Sequence, residues 1–180
     1  AAAALVSACG SGGSSSNGPS PAPDLQARLT GASPWADGCD GVAPTGTVYP
    51  GAEVEPHVAV DPNDPDHLIA AWQQDRWSDG AARGLRTAVS FDGGRTWTAS
   101  AATFTRCSGG TPANGGDYLR ASDPWVAIGP SGVVWQIGIT TGDGVSPSAS
   151  AVLVARSPDG GASWEPPVTL IRDQGGPFND

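Results

Sequence analysis

An eight-residue sequence that occurs twice limits what this chain can fold into more than any other feature. Residues 90–97 read SFDGGRTW and residues 157–164 read SPDGGASW, so both fit the pattern S-x-D-G-G-x-[ST]-W. In a β-hairpin, an aspartate can fold back onto the turn amides, glycines supply positive φ, and a tryptophan anchors the returning strand in the core. The repetition therefore predicts two hairpins that are held in the same way.

Five residues of each copy are expected to have this structural role. They are Ser90, Asp92, Gly94, Thr96 and Trp97 in the first copy, and Ser157, Asp159, Gly161, Ser163 and Trp164 in the second.

The sequence around each copy repeats too. A proline follows an acidic residue at Pro56 and again at Pro124, 68 positions later, and the motif aspartates Asp92 and Asp159 are 67 positions apart. Between these points each copy holds short apolar runs separated by polar turns, which predict strands. Four short strands per unit at a fixed period are typical of β-propeller blades, so we predict an all-β chain.

The octapeptides resemble the Asp-box, or BNR repeat, of sialidases and related β-propellers. The resemblance covers residues 50–180 and implies an all-β propeller of the sialidase type, with about six blades when complete. About two four-stranded blades fall in this sequence, at about residues 50–105 and 120–172. We therefore expect residues 25–180 to be the N-terminal part of such a propeller, and the sequence to be a fragment of a longer one.

The first residues predict export. Residues 1–9 look like the end of a bacterial lipoprotein signal peptide, because VSAC at residues 6–9 resembles a lipobox, in which the cysteine, here Cys9, is acylated. The alternative is an ordinary secretory signal with a chance cysteine. Residues 10–24 are rich in Gly, Ser and Pro and predict a flexible tether. We expect a protein that is lipid-anchored to the outer face of the bacterial cell membrane, or secreted, with no membrane contact besides the anchor.

The cysteines are consistent with an exported protein. If Cys9 carries lipid, Cys39 and Cys107 remain as a pair, and an oxidising compartment favours a disulfide between them. The alternative is two separate buried thiols, because sequence spacing alone does not give the geometry. The C-x2-C spacing of a structural zinc site is absent from the sequence, and we expect neither a metal ion nor a cofactor.

The charge of the chain argues against nucleic acid as a partner. The formal net charge is -9, and the chain has no lysine. No basic stripe is therefore available to contact phosphates. We expect a glycan or a glycoconjugate as the partner, for the following reasons.

Candidate binding residues fall at the blade starts and in the loop between the second and third strands. In a four-stranded blade these segments lie at the end opposite to the octapeptide. Aromatic rings stack on sugars, arginine forks bind carboxylates, and paired acids can carry out glycoside hydrolysis. The alternative for each residue is a solvated turn or a structural ion pair. The candidates for substrate binding are Glu55, His57, Arg76, Trp77, Arg120 and Trp125.

The resemblance to sialidases also implies a catalytic set. It comprises three arginines for the substrate carboxylate, a tyrosine nucleophile assisted by a glutamate, and an aspartic acid in an early blade. Asp75 lies in a suitable loop for the acid, and Asp123 resembles the acidic start of the second blade, so these two are the predicted catalytic residues. The Arg-Ile-Pro element that opens the first sialidase blade is missing, and VEPH stands there at residues 54–57. The remaining catalytic residues would fall beyond residue 180.

Three functional hypotheses follow. The first is a secreted, lipid-anchored glycoside hydrolase that resembles exo-alpha-sialidases and acts on glycans. The second is a non-catalytic Asp-box propeller that binds glycan or protein at the cell surface. The third is an assembly factor that uses the same scaffold.

Overall fold

A computed structural model of the chain describes residues 29, 31–43, 46–143 and 149–173. The expected lipidation site Cys9 and the expected tether at residues 10–24 lie outside the described residues. In the part of the chain that the structure describes, no helix is long and apolar enough to cross a membrane.

The described residues form eight antiparallel strands in two runs of four. The first unit contains β1 (Val48–Val60), β2 (Leu68–Trp77), β3 (Ala82–Ser90) and β4 (Thr98–Ser100). The second unit contains β5 (Tyr118–Ile128), β6 (Val134–Asp143), β7 (Ser150–Ser157) and β8 (Val168–Asp173). Two single-turn 3-10 helices, Arg106–Ser108 and Pro112–Asn114, lie between the units.

Within the sheet, the two units are paired through a single pair of residues. Each unit is a meander of four strands, and β3 pairs with β4 near its end but with β5 only through Ala82 and Ala121. The sheet is not closed, because its order runs from β1 to β8 with β4 attached to the side of β3. The all-β class that the sequence predicted is confirmed, and the eight strands follow one another in two runs of four.

The core lies between the units. Ile69 and Val89 of the first unit pack with Val126 and Val134 of the second, and all four side chains are buried. A second buried cluster contains Leu85 of β3, Leu153 of β7, and Phe104 and Tyr118 from the connection and the start of β5. Buried and partly buried residues alternate along most of β7, as expected where one face of a strand enters the core, whereas nearly every residue of β2 and β3 is buried.

A glycine allows the units to approach closely. A Cβ atom at Gly138 of β6 would lie 2.5 Å from the Cδ1 atom of Leu85 and 3.4 Å from the ring of Phe104. A separation of 2.5 Å is too short for two carbon atoms that are not bonded. A larger residue at position 138 would therefore collide with Leu85, which fills that space.

Each octapeptide is held by its aspartate. Asp92 Oδ1 accepts hydrogen bonds from the backbone N–H groups of Arg95 (2.9 Å) and Thr96 (2.8 Å), and Asp92 Oδ2 accepts from the Thr96 hydroxyl. Ser90 Oγ accepts from the N–H of Gly94 at 2.8 Å, and Gly94 has φ of +84°. Glycine adopts this conformation without the steric cost that other residues have.

The second octapeptide repeats these bonds. Asp159 accepts from the backbone N–H of Ser163 at 2.9 Å and from its hydroxyl, and Ser157 Oγ accepts from the N–H of Gly161 at 2.7 Å. The hydrogen bonds that each carboxylate accepts lower its pKa to about 2, with the largest effect from the hydroxyl of Thr96 for Asp92 and from the hydroxyl of Ser163 for Asp159.

The two octapeptide tryptophans differ in their partners. Trp97 donates its indole N–H to Gly94 O of its own turn at 2.9 Å. Trp164 instead reaches the first unit, where its indole nitrogen lies 3.0 Å from Ser100 Oγ and 3.2 Å from Thr87 Oγ1. The second octapeptide therefore fastens one unit to the other.

A buried histidine makes a further link at the same end. His67 Nδ1 lies 3.1 Å from Asp61 Oδ2, and His67 Nε2 lies 2.8 Å from Gly160 O of the second octapeptide. The ring also stacks on Phe91, with 4.8 Å between the ring centroids. The octapeptides thus share one end of the units with the β1–β2 turn, whereas the β2–β3 connection lies at the other end.

Cys39 and Cys107 form a disulfide. The bond ties the irregular segment before β1 to the first 3-10 helix between the units. Arg106, the neighbour of Cys107, reinforces this link because its Nη1 atom donates to Asp40 O at 3.0 Å and its Nε atom donates to Asp117 at 2.6 Å.

Candidate functional site

Two carboxyl groups meet where the first strands of the two units are interrupted. Glu55 of β1 and Asp123 of β5 lie at register shifts in their pairing with β2 and β6. Both have positive φ, +54° and +51°, which is uncommon for residues other than glycine and indicates local strain. The backbone N–H of Asp123 donates to Glu55 Oε2 at 3.3 Å, and the two carboxyl groups are close enough to influence each other's charge.

A buried amide supports this pair from below. Gln73 of β2 is fully buried, and its Nε2 atom donates to Glu55 Oε2 and to Ser122 Oγ, the latter at 2.9 Å. Its Oε1 atom accepts from Arg76 Nη1 at 2.6 Å. Both polar atoms of the Gln73 amide are hydrogen-bonded, so the amide is held in one orientation. Gln73 of β2 thereby fixes the orientation of the Glu55 side chain.

The environment of Asp123 favours its protonated form. Loss of hydration raises the pKa of Asp123, and the neighbouring Glu55 carboxylate raises it further, both by its charge and by accepting a hydrogen bond. The Arg76 guanidinium acts in the opposite direction and is the weaker influence. The pair therefore holds a proton at Asp123 more readily than an isolated aspartate does.

Two aromatic rings follow the carboxyl groups along their strands. His57 and Trp125 stack, with 3.9 Å between ring centroids and 28° between planes. His57 Nδ1 accepts from the backbone N–H of Val126 at 3.3 Å, so a neutral imidazole carries its proton on Nε2. Trp125 is 58% exposed although it is a large apolar side chain. We call Glu55, Asp123, Gln73, His57 and Trp125 the carboxyl site.

Asp75 lies in a different environment. Its side chain is fully buried, and its carboxylate accepts from Ser33 Oγ, from Gly51 N at 2.9 Å and from Gln74 Nε2 at 3.0 Å. Arg83 Nη1 lies 3.5 Å from Asp75 Oδ2. These partners connect β2 to the start of β1, to β3 and to the segment before β1.

Trp77 and Arg120 contact each other rather than solvent. Trp77 is only 4% exposed, and the guanidinium carbon of Arg120 lies 4.5 Å from the centre of its ring. Arg120 also donates to Asp79 Oδ1 at 2.8 Å and to Gly80 O at 3.0 Å. This cation–π contact and ion pair link β5 to the β2–β3 connection.

The structure thus brings together four of the predicted site residues, Glu55, Asp123, His57 and Trp125, with Arg76 joined to them through Gln73. Ser122 was not among the sequence candidates, although it directly precedes Asp123. Its contact with Gln73 depends on how the units pack, so the sequence carried no signal for it. Among the described residues, no group of three or more His, Cys, Asp or Glu side chains is arranged to hold a metal ion.

The fold resembles that of a sialidase. A solved structure described as "Hadza microbial sialidase Hz136" superimposes on this chain with a TM-score of 0.50 and 21% sequence identity. The match covers 66% of this chain and 26% of that one. No protein-family model matches the chain, and a search of curated proteins finds no match. At this identity the likeness shows a sialidase-like fold.

Proposed function

We propose that this protein is a sialidase-like glycoside hydrolase that acts on glycans, with the two units as blades of a β-propeller and the octapeptides as Asp-boxes. One observation carries the proposal: neighbouring carboxyl groups from equivalent points of the two units are accompanied by an exposed tryptophan. Such a combination suits a sugar, whose ring stacks on the indole while its oxygens contact the acids.

In this proposal Asp123 is the proton donor to the glycosidic oxygen. A general acid works best when it is still protonated near the working pH, and both the loss of hydration and Glu55 raise the pKa of Asp123. The acid and nucleophile of a retaining glycosidase lie about 5 Å apart and those of an inverting enzyme lie farther apart. Glu55 Oε2 instead lies within hydrogen-bonding distance of the Asp123 backbone, so in this proposal Glu55 raises the pKa of Asp123 and the nucleophile is another group.

Asp75, the other predicted catalytic residue, has a positioning role in this proposal. Its buried carboxylate fixes Gly51 at the start of β1, four positions before Glu55. It thereby sets the path of the strand that carries Glu55, instead of donating a proton to substrate itself. Arg76 acts through Gln73, and Trp77 with Arg120 keeps β5 in place.

We further propose that the protein is exported and anchored through Cys9. Support comes from the lipobox-like residues 6–9 and the composition of residues 10–24. Expression in a bacterial host with radiolabelled palmitate tests this: the wild type should be labelled and Cys9→Ser should not. Equal labelling of both would contradict the anchor.

The hydrolase proposal is tested with a panel of fluorogenic glycosides that includes sialosides. Asp123→Asn and Glu55→Gln should each reduce turnover, the first by about 100-fold or more, as expected for loss of a general acid. Glu165→Gln, a partly exposed carboxyl paired with Arg156, is the matched control and should retain activity. Turnover of no glycoside would contradict the proposal, whereas activity that survives both site substitutions would contradict the residue assignment.

A non-catalytic glycan-binding propeller is the second candidate. Two observations favour it: Asp75 is buried away from solvent, and VEPH at residues 54–57 stands where the sialidase resemblance leads one to expect Arg-Ile-Pro. This candidate predicts saturable glycan binding with no turnover, and Trp125→Ala should abolish the binding.

A further inference from the structure

We propose that residues 25–28 continue the contact made by Leu29 and lie as an extended strap across the first unit, on the face that is turned away from the second unit. The occupant of that face is then the chain's own N-terminal segment. The inference does not depend on the proposed activity, because it concerns how the expected tether is fastened to the fold.

The face in question carries an apolar cluster and a groove. Ala70, Trp72 and Ala88 are buried there, whereas Ile69 and Val89 of the same strands pack on the second unit. A groove of about 350 Å³ beside Trp72 is lined mainly by apolar residues of β1 and β2. The second unit covers only the other face of these strands, so this cluster depends on another part of the chain for its cover.

Leu29 occupies this face in the structure. Its half-buried side chain packs against the cluster and lines the groove next to Val54, Pro56 and Trp72. The residues that directly precede Leu29 must therefore start from this groove, whichever way they run.

The sequence before Leu29 has the period of an extended segment with one apolar side. Residues 25–29 read LQARL, so Leu25, Ala27 and Leu29 alternate with Gln26 and Arg28. In an extended chain, alternate side chains point to the same side. Leu25 and Ala27 would therefore share the side that Leu29 turns towards the cluster.

The chain after Leu29 is fastened to the fold with the same alternation. Every second residue from position 33 to position 39 makes a contact with the first unit or with the connection that follows it. Ser33 Oγ donates to Asp75, the Trp35 ring lies against Gly84, Asp37 pairs with Arg83, and Cys39 is bonded to Cys107. The strap would extend this pattern towards the N-terminus.

Arg86 indicates that the cover of this face includes polar groups. Arg86 lies directly opposite Trp72 on the same face, and its Nε atom is buried without a hydrogen-bond partner among the described residues. Burial lowers the pKa of Arg86, and the charge of Glu53 acts in the opposite direction. A buried donor without an acceptor is costly, and an extended segment supplies backbone carbonyl oxygens as acceptors.

Arg86 also argues against a copy of the existing contact between the units on this face. Arg86 lies four positions before Ser90, which begins the first octapeptide, and Leu153 lies four positions before Ser157, which begins the second. Leu153 is buried in the core between the units. Where the second unit turns an apolar side chain towards its neighbour, the first unit has a guanidinium, so the occupant of its face must be of a different kind.

The strap would connect two parts of the chain that have separate roles. It starts where the expected tether at residues 10–24 ends, and it leads through Ser33 to the buried Asp75. An anchor at Cys9 would then hold the protein by the strands of its first unit.

Limited proteolysis of the whole chain tests the strap. Arg28 is the only lysine or arginine in residues 1–75, so trypsin cleavage of the Arg28–Leu29 bond releases residues 1–28, which mass spectrometry detects. This bond should be cut at least about tenfold more slowly in the wild type than in a free peptide of residues 22–34, because a docked segment must detach before it is cleaved.

Two neighbouring substitutions distinguish the two sides of the strap. Leu25→Ser should raise the rate of cleavage about tenfold, because it removes a buried apolar side chain. Gln26→Ser, the matched control on the solvent side, should change the rate by less than about twofold. Cleavage of the wild type at the rate of the peptide would overturn the inference, and so would equal effects of the two substitutions.

A measurement on the unmodified chain gives a second test. Proton NMR should show a nuclear Overhauser contact between the Ala27 methyl group and the Trp72 indole, and the absence of this contact would contradict the strap. If a separate molecule or a further unit covers this face instead, the Arg28–Leu29 bond is open to trypsin and the contact is missing.

Discussion

The indole nitrogen of Trp164 lies 3.0 Å from the hydroxyl oxygen of Ser100, so the second octapeptide is hydrogen-bonded to the last strand of the first unit. Ser100 Oγ also donates to Gly161 O of the same octapeptide at 2.9 Å, so a second hydrogen bond joins these two segments. The contact between the units therefore depends on polar groups that are partly enclosed, in addition to the apolar core.

Trp164→Phe should destabilise the protein more than Trp97→Phe. The first substitution leaves the hydroxyls of Ser100 and Thr87 without their indole partner between the units, at a cost of about 1–3 kcal/mol. The second removes a bond within one turn, worth about 1 kcal/mol. Urea unfolding of both variants measures the difference, and equal losses would contradict the role of Trp164 as a link.

His67→Ala should lower the free energy of unfolding, by about 1–3 kcal/mol. Both ring nitrogens face acceptors, Asp61 Oδ2 and Gly160 O, and the substitution leaves both without a donor. His57→Ala, at the carboxyl site, is the control and should cost less because His57 is only partly buried. Thermal unfolding followed by circular dichroism tests this, and the reverse order would contradict it.

Acid should unfold the octapeptide hairpins through Asp92 and Asp159. The pKa of each carboxyl is lowered from its ordinary value of 3.8 to about 2, so the folded state binds the proton less readily than the unfolded chain. Their contribution to stability is present above pH about 4 and is lost as the pH falls towards about 2.

Asp92→Asn combined with Asp159→Asn should flatten this dependence. Stability is measured by urea unfolding at several pH values between about 7 and 2, the range that spans both pKa values. Glu165→Gln serves as the control. A double variant with the same acid slope as the wild type would contradict the assignment.

Asp75→Asn should destabilise the protein by about 3 kcal/mol, because it leaves the buried Arg83 guanidinium without one of its carboxylates. Asp123→Asn should cost much less, since Asp123 is at the surface. Denaturant unfolding distinguishes the two. If Asp75→Asn kept wild-type stability and lost turnover, Asp75 would be the acid that the sequence predicted.

The pH profile of any glycosidase activity should depend on Glu55. If Asp123 is the proposed proton donor, activity should fall as the pH rises through its elevated pKa. Glu55→Gln removes one cause of that elevation, so the falling limb should move to lower pH. A limb that stays in place would show that Asp123 is not the acid.

The sequence predicted the fold better than the site. The octapeptide pattern indicated how the serine, the aspartate and the hydroxyl residue hold each hairpin, because these contacts are local, as between Asp92 and Thr96. The partners of Trp164 lie in the other unit, so the pattern did not indicate them. The 67-residue period likewise predicted two four-stranded units. Asp75 could not be placed in the same way, because its partner Ser33 lies 42 positions away in a segment without a period.

The proximity of Glu55 to Asp123 could not be predicted from the sequence either. A residue before proline favours an extended backbone, so the positive φ at both positions contradicts the local preference. Only the packing of one unit on the other brings the two carboxyl groups into contact.

Gly138 limits the order in which these two units can follow each other in a chain. Gly138 occupies the position in the second unit that Trp72 occupies in the first. The pairing of β2 with β1 begins at Leu68, and the pairing of β6 with β5 begins at Val134. Trp72 and Gly138 each lie four positions after these residues. A tandem array made from copies of the first unit would place an indole where Leu85 must fit. The two repeats are therefore not interchangeable, because the second can follow the first only with a residue as small as glycine at position 138.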